Sequence, residues 1–113
     1  MGGKTVDNAQ IQEVIQGLQE WGHLTSIQQV ASRAKGRPLP AATLRGVRKS
    51  SNGIARYVIV EVFDRGPRYR DTRYYCEAKP EGQPKSSRVL ATGNPEPSIE
   101  IMLSTTHWHE LDM

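Results

Sequence analysis

Between Asn8 and Trp21 the apolar residues Ile11, Val14, Ile15, Leu18 and Trp21 recur at three- and four-residue intervals. That spacing gathers side chains on one side of an α-helix. Asp7 stands where an N-cap belongs, and Val6 and Ile11 are placed as a hydrophobic staple. Gly22 follows where a left-handed C-terminal residue is expected, so the pattern predicts a helix over 8–21. A second helix is predicted from Thr25 or Ser26. Thr25-Ser26-Ile27-Gln28 matches a capping box, Ile27, Val30, Ala31 and Ala34 form its inner face, and Gly36 and Pro38 end it. A third helix is predicted from Pro40, a residue favoured in a first turn. Leu44 and Val47 are its buried pair, Thr43, Arg45, Arg48 and Lys49 point elsewhere, and Ser50-Ser51-Asn52-Gly53 ends it.

The period then changes. Ile54 to Phe63 is rich in β-branched and aromatic residues and reads as a strand buried on much of both faces. Asp64-Arg65-Gly66-Pro67 is turn chemistry, and Arg68 to Ala78 reads as the second strand of a hairpin. Residues 79–87 have the composition of a mobile loop. Arg88 to Thr92 reads as a short third strand, and Gly93-Asn94-Pro95-Glu96-Pro97 as another turn. In the tail, Ile99, Ile101 and Leu103 alternate as a strand would. Pro97, Ser98 and Glu100 instead resemble a helix start, so a helix containing Ile99, Met102 and Leu103 is preferred, with Trp108 and Leu111 packing as the chain leaves it. The expected fold is therefore α+β: an N-terminal three-helix bundle, an antiparallel β-hairpin or small sheet, and a short C-terminal helix. The 113 residues suffice for a single domain over 1–113. Its helical part is 8–50, its hairpin or sheet part 54–92 and its C-terminal segment 98–113. No internal repeat is visible.

Composition narrows the class. Apolar residues make up 36% of the chain and mean hydropathy is −0.60, so the core is lean. No apolar run reaches about 18 residues, the length a spanning helix needs. The N-terminus, Met1-Gly2-Gly3-Lys4, has no apolar signal segment, and Val6 stands where a myristoylation site requires Ser or Thr. The single cysteine, Cys76, cannot form an internal disulfide and reads as an inert buried thiol, which makes the cytoplasm the expected compartment. The net charge of +3 hides an asymmetry. Residues 33–73 hold eleven Lys/Arg against Glu61, Asp64 and Asp71, whereas the segments before and after are both net acidic. Such a field affects partner choice more than fold.

The order helix, helix, turn, helix, hairpin over about residues 8–78 resembles a winged helix-turn-helix DNA-binding domain. The resemblance rests on Leu24-Thr25-Ser26-Ile27-Gln28-Gln29-Val30-Ala31 followed by Pro40-Ala41-Ala42-Thr43-Leu44-Arg45-Gly46-Val47-Arg48-Lys49. It implies that Ala42, Thr43, Arg45, Arg48 and Lys49 face the major groove and that Arg65, Arg68 and Arg70 form a wing tip on the backbone. Cations neutralise phosphates and release counterions, and Arg and Thr can contact base edges. The C-terminal half, strand, strand, short strand, then Gly93-Asn94-Pro95 leading into a helix, looks like the β-β-β-α antitoxin domains of the HicB type, which pair with a protein.

Other constellations are weaker. Tyr57, Tyr69, Tyr74 and Tyr75 interleave with Arg56, Arg68, Arg70 and Arg73, a composition that can stack single-stranded bases, although Tyr74 and Tyr75 must face opposite sides of a strand. His107 and His109 would share a side of an extended segment, with Glu110 or Asp112 adding a carboxylate. The reading taken is that Trp108 anchors the tail and the histidines stay solvated, with no metal and no cofactor assigned. Glu61 and Glu77 fall on neighbouring predicted strands and could approach each other, as paired acid–base carboxylates do, but solvated glutamates are the simpler account. No Gly-x-Ser-x-Gly, P-loop or dinucleotide fingerprint is present. The expected function is a non-enzymatic DNA-binding or transcription-regulatory module, with duplex DNA the first partner and a homodimer plausible for reading two half-sites. The alternative is a protein-protein interaction module, antitoxin- or adaptor-like, whose basic face docks an acidic partner.

Overall fold

The computed structural model describes residues 7–32, 39–50, 52–83 and 89–112. Helix α1 spans Asn8–Glu20, strand β1 Leu24–Val30, β2 Ala42–Lys49, β3 Ala55–Asp64, β4 Tyr74–Pro80 and β5 Ala91–Thr92. Helix α2 spans Ile99–Thr105, and a 3₁₀ helix, Trp108–Asp112, follows. The strands form one antiparallel sheet in the order β1-β2-β3-β4-β5. Helices α1 and α2 and the 3₁₀ helix lie on one face of it, where Val14, Leu18, Met102, Leu103, Trp108 and Leu111 join Leu44, Val60, Val62 and Cys76 in one apolar cluster.

Helix α1 forms as its periodicity predicts. Asp7 is its N-cap and accepts from the Gln10 backbone N–H, while the Gln10 side chain accepts from the Asp7 backbone. The proposed staple involves Val6, which lies outside the described residues. The left-handed residue after the helix is His23, with φ of 54°, rather than Gly22. Gly17 is required by close approach: a Cβ there would stand 2.3 Å from Leu103 Cδ1 of α2.

The three-helix bundle is overturned: the segments given to its second and third helices are β1 and β2. Two local features explain the difference. Strand β1 carries a bulge between Thr25 and Gln28, with Ser26 at φ of 51°. One extra residue in a bulge shifts the side-chain alternation, so the core-facing Leu24 and Ile27 are three apart and mimic a helical interval. In β2 the covered side reads Ala42, Leu44, Gly46. Gly46 has no side chain there because a Cβ would lie 2.8 Å from Leu24 Cδ2, and its absence hides the period of two. Pro40 precedes the strand rather than opening a helix, a position where proline's missing N–H is tolerated. Among its described residues the helical part assigned to 8–50 is thus one helix and two strands; Ala34, Gly36 and Pro38 of the expected second helix lie outside them.

From residue 54 onward the order of elements agrees with the pattern. The hairpin is β3–β4, but its second strand starts at Tyr74 and not Arg68, because residues 65–73 form a braced loop. Asp64 accepts from Arg73 at 2.8 and 3.0 Å and from the Gly66 N–H at 2.8 Å. Lys79 and Pro80 belong to β4 rather than to a loop, while residues 84–88, including Arg88, lie outside the described residues. Ser98 caps α2 by accepting from the Ile101 N–H, so the tail is helix and not strand. Trp108 and Leu111 are buried after it, and Trp108 Nε1 donates to the Leu103 carbonyl at 2.8 Å. No helix among the described residues is long and apolar enough to cross a membrane.

Candidate functional site

Alternation along β2, β3 and β4 separates two sets of side chains. Leu44, Val58, Val60, Val62, Cys76 and Ala78 face the helices. Thr43, Arg45, Val47, Tyr57, Ile59, Glu61, Phe63, Tyr75, Glu77 and Lys79 face the other way, where no described helix lies. Cross-strand register then decides which of them meet. Arg45 opposes Ile59, which opposes Lys79; Thr43 opposes Glu61, which opposes Glu77; Phe63 opposes Tyr75.

Two clusters are built on this uncovered face. The Phe63 and Tyr75 rings stack with centroids 4.7 Å apart and planes 11° from parallel. Burial pushes the Tyr75 phenol above its ordinary value, the Glu77 carboxylate raises it further, and Arg65 pulls it down. Arg45 lies 3.7 Å over the Tyr57 ring and forks onto Glu81 at 2.7 and 2.9 Å. The Glu81 hydrogen bond is the main reason this guanidinium is held above its already high ordinary value. Tyr57 nevertheless remains 50% exposed.

The seven residues expected to touch nucleic acid do not come together. Thr43 is on the uncovered face and buried, at 5% exposure. Arg45 is on the same face and committed to Glu81. Arg48 points to the covered side at the sheet's edge, where it forks onto Asp112 at 3.2 and 3.0 Å and donates to the Gly22 carbonyl at 2.6 Å. Lys49 is exposed at the end of β2. Arg65, Arg68 and Arg70 sit in the β3–β4 loop at the other end of the sheet. The nine residue steps of β3 separate the two ends by about 30 Å. In that loop Arg65 lies 4.1 Å over Tyr69 and donates to the Thr72 carbonyl at 3.2 Å. With β2 in place of a third helix, Thr43, Arg45, Arg48 and Lys49 no longer share one side, because alternate strand residues point apart.

Glu61 and Glu77, expected on neighbouring strands, are directly opposed in the β3–β4 register. The Arg45–Tyr57–Glu81 cluster had no sequence signal, since Glu81 reaches it only through the β4 turn. The Phe63–Tyr75 stack follows once the alternation of β3 and β4 is registered. In the tail, His107 and His109 have ring centroids 6.0 Å apart, and His107 Nδ1 is 3.5 Å from Glu110. No group of three or more metal-ligating side chains occurs among the described residues. Cys76 is buried, hydrogen-bonded to Thr106 at 3.3 Å, and its thiol is pushed up to about 11 by burial. Comparison with protein-family models, with curated proteins and with solved structures finds no match.

Proposed function

We propose that this chain is a non-enzymatic protein-binding module that recognises its partner with the uncovered face of the sheet. The observation that carries the reading is the composition of that face. It presents Tyr57, Ile59, Val47 and Tyr75, the last stacked on the buried Phe63, among balanced charges, with Arg45, Lys49 and Lys79 against Glu61, Glu77 and Glu81. Aromatic residues and arginine are enriched at the centres of protein interfaces. A polyanion would meet two glutamates in the middle strands, where a phosphate-binding surface needs cations. The reduced single thiol is compatible with a cytoplasmic setting.

Photo-crosslinking tests this. A photoreactive residue at position 57 should trap nuclease-resistant protein adducts in lysate of the source organism, and one at position 100 on the exposed side of α2 should not. Equal adducts at both positions, or adducts that vanish with nuclease, would refute the reading.

A second reading is favoured by the β3–β4 loop. There Arg68 and Arg70 are exposed and unpaired among the described residues, on a loop braced by Asp64–Arg73. That loop could bind duplex DNA as a backbone contact. It predicts salt-sensitive binding of a DNA duplex that falls sharply in Arg68→Glu/Arg70→Glu and is indifferent to Tyr57.

A further inference from the structure

The row Thr43–Glu61–Glu77–Thr92 runs across β2 to β5 on the uncovered face. Its centre is unsatisfied. Glu61 and Glu77 are directly opposed on adjacent strands, and directly opposed like charges destabilise a sheet. Neither glutamate makes an ion pair among the described residues. The cation in the next row, Arg45, is occupied by Glu81 through both of its contacting nitrogens. Thr43, opposite Glu61, is 5% exposed, and its Oγ1 has no hydrogen-bond partner among the described residues. A buried hydroxyl without a partner is a cost the free protein carries. On the other side of the row stands the Phe63–Tyr75 stack.

These features converge on one ligand chemistry. Two carboxylates and a hydroxyl oxygen are acceptors only for a ligand that brings donors and positive charge. An aromatic pair beside them favours a flat cation. Calcium takes six to eight oxygens, more than this row offers. An ammonium is a compact point charge, whereas a guanidinium has five N–H donors in a planar fork and stacks on aromatic rings.

We infer that the Thr43–Glu61–Glu77 row is the seat of an arginine side chain supplied by the partner protein. The inference rests on the sheet-face reading above and names the chemistry of the occupant. The guanidinium donates to both carboxylates, which removes the repulsion, and satisfies Thr43 Oγ1 by displacing the side chains that now cover that hydroxyl.

The test is a titration of the full chain with capped Gly-Arg-Gly-Arg-Gly, followed by amide chemical shifts at low salt. Saturable shifts are expected at Thr43, Glu61, Tyr75 and Glu77. The citrulline counterpart, neutral and nearly isosteric, should bind about tenfold more weakly, as should Glu61→Gln/Glu77→Gln with the arginine peptide. Thr43→Val, which keeps shape and both charges, should weaken binding about threefold. Absence of shifts at these amides overturns the inference, as does equal binding of the citrulline peptide or unchanged affinity in the double variant. Concentration-dependent shifts at the same amides without peptide would assign the seat to a second copy of this chain and overturn the separate partner. If position 57 traps a protein while the peptide does not bind, the arginine seat falls and the sheet-face reading stands. If position 57 traps nothing, the sheet-face reading itself falls.

Discussion

The two faces of this sheet are built from the same strands in the same register, yet they obey different rules. On the covered face Leu44, Val60, Val62, Cys76 and Ala78 meet Leu18, Met102 and Leu103, and each is almost fully buried. The polar groups there have partners: Cys76 bonds Thr106, and Thr106 Oγ1 donates to the Met102 carbonyl at 2.8 Å. On the uncovered face two glutamates oppose each other, a buried threonine hydroxyl has no partner among the described residues, and a tyrosine stays half exposed. The covered face is thus optimised for the isolated fold. The uncovered face keeps local conflicts that folding alone does not explain, and such conflicts tend to fall at functional sites.

Substitutions should divide along this line. Leu44→Ala should cost about 3 kcal/mol in urea unfolding, because a buried leucine loses its contacts and leaves a cavity. Ile59→Ala, one strand over and facing the other way, should cost about 1 kcal/mol. Equal costs would mean that something outside the described residues covers the second face. Arg48→Ala should cost about 2 kcal/mol and raise hydrogen exchange across Trp108–Asp112. That arginine side chain is only 10% exposed and ties the 3₁₀ helix to β2 through Asp112.

The thiol gives a pH version of the same contrast. The fold holds the Cys76 proton more tightly than the unfolded chain does, with a value of about 11 against an ordinary 9.0. Its contribution is therefore intact below pH 9 and lost as pH rises towards 11. Between pH 8 and pH 10 the protein should lose about 1 kcal/mol more stability than Cys76→Ala loses over the same range, measured by urea unfolding at both pH values. In the native state iodoacetamide should leave the thiol untouched near neutral pH. The smallest effect has the opposite sign: Glu61→Gln should stabilise the protein by about 0.5 kcal/mol by ending a like-charge pair. A loss of stability there would mean that the glutamate already has a partner.

Half of this division was legible in residue order. The stripe from Ile11 to Leu18, the capping Asp7 and the Ser98 start of α2 carry strong local signals and appear where the pattern puts them, as does the β3 strand. Trp21, however, lies past the helix and is 39% exposed, and β3 is buried along one face and, on the other, only at Phe63. Strands β1 and β2 were not legible, for a physical reason. The bulge at Ser26 restores a three-residue interval between Leu24 and Ile27, and Gly46 removes the one side chain that would have shown a period of two. The expected nucleic-acid residues scattered for the same reason. Arg45, Arg48 and Lys49 would fall on one side of a helix, but on the strand Arg48 points away from Thr43, Arg45 and Lys49.

What the sequence by itself determined was the lean core, the first and last helices, the central hairpin, the inert cysteine and the uneven charge, because each is written in local spacing or in counts. Only the tertiary structure decided that residues 42–49 are a strand, that Arg48 is spent holding Asp112, and that Glu61 faces Glu77 beside a Thr43 hydroxyl with no partner among the described residues. Those outcomes depend on strand register and on which face the helices cover, and both are set by contacts between residues far apart in the chain.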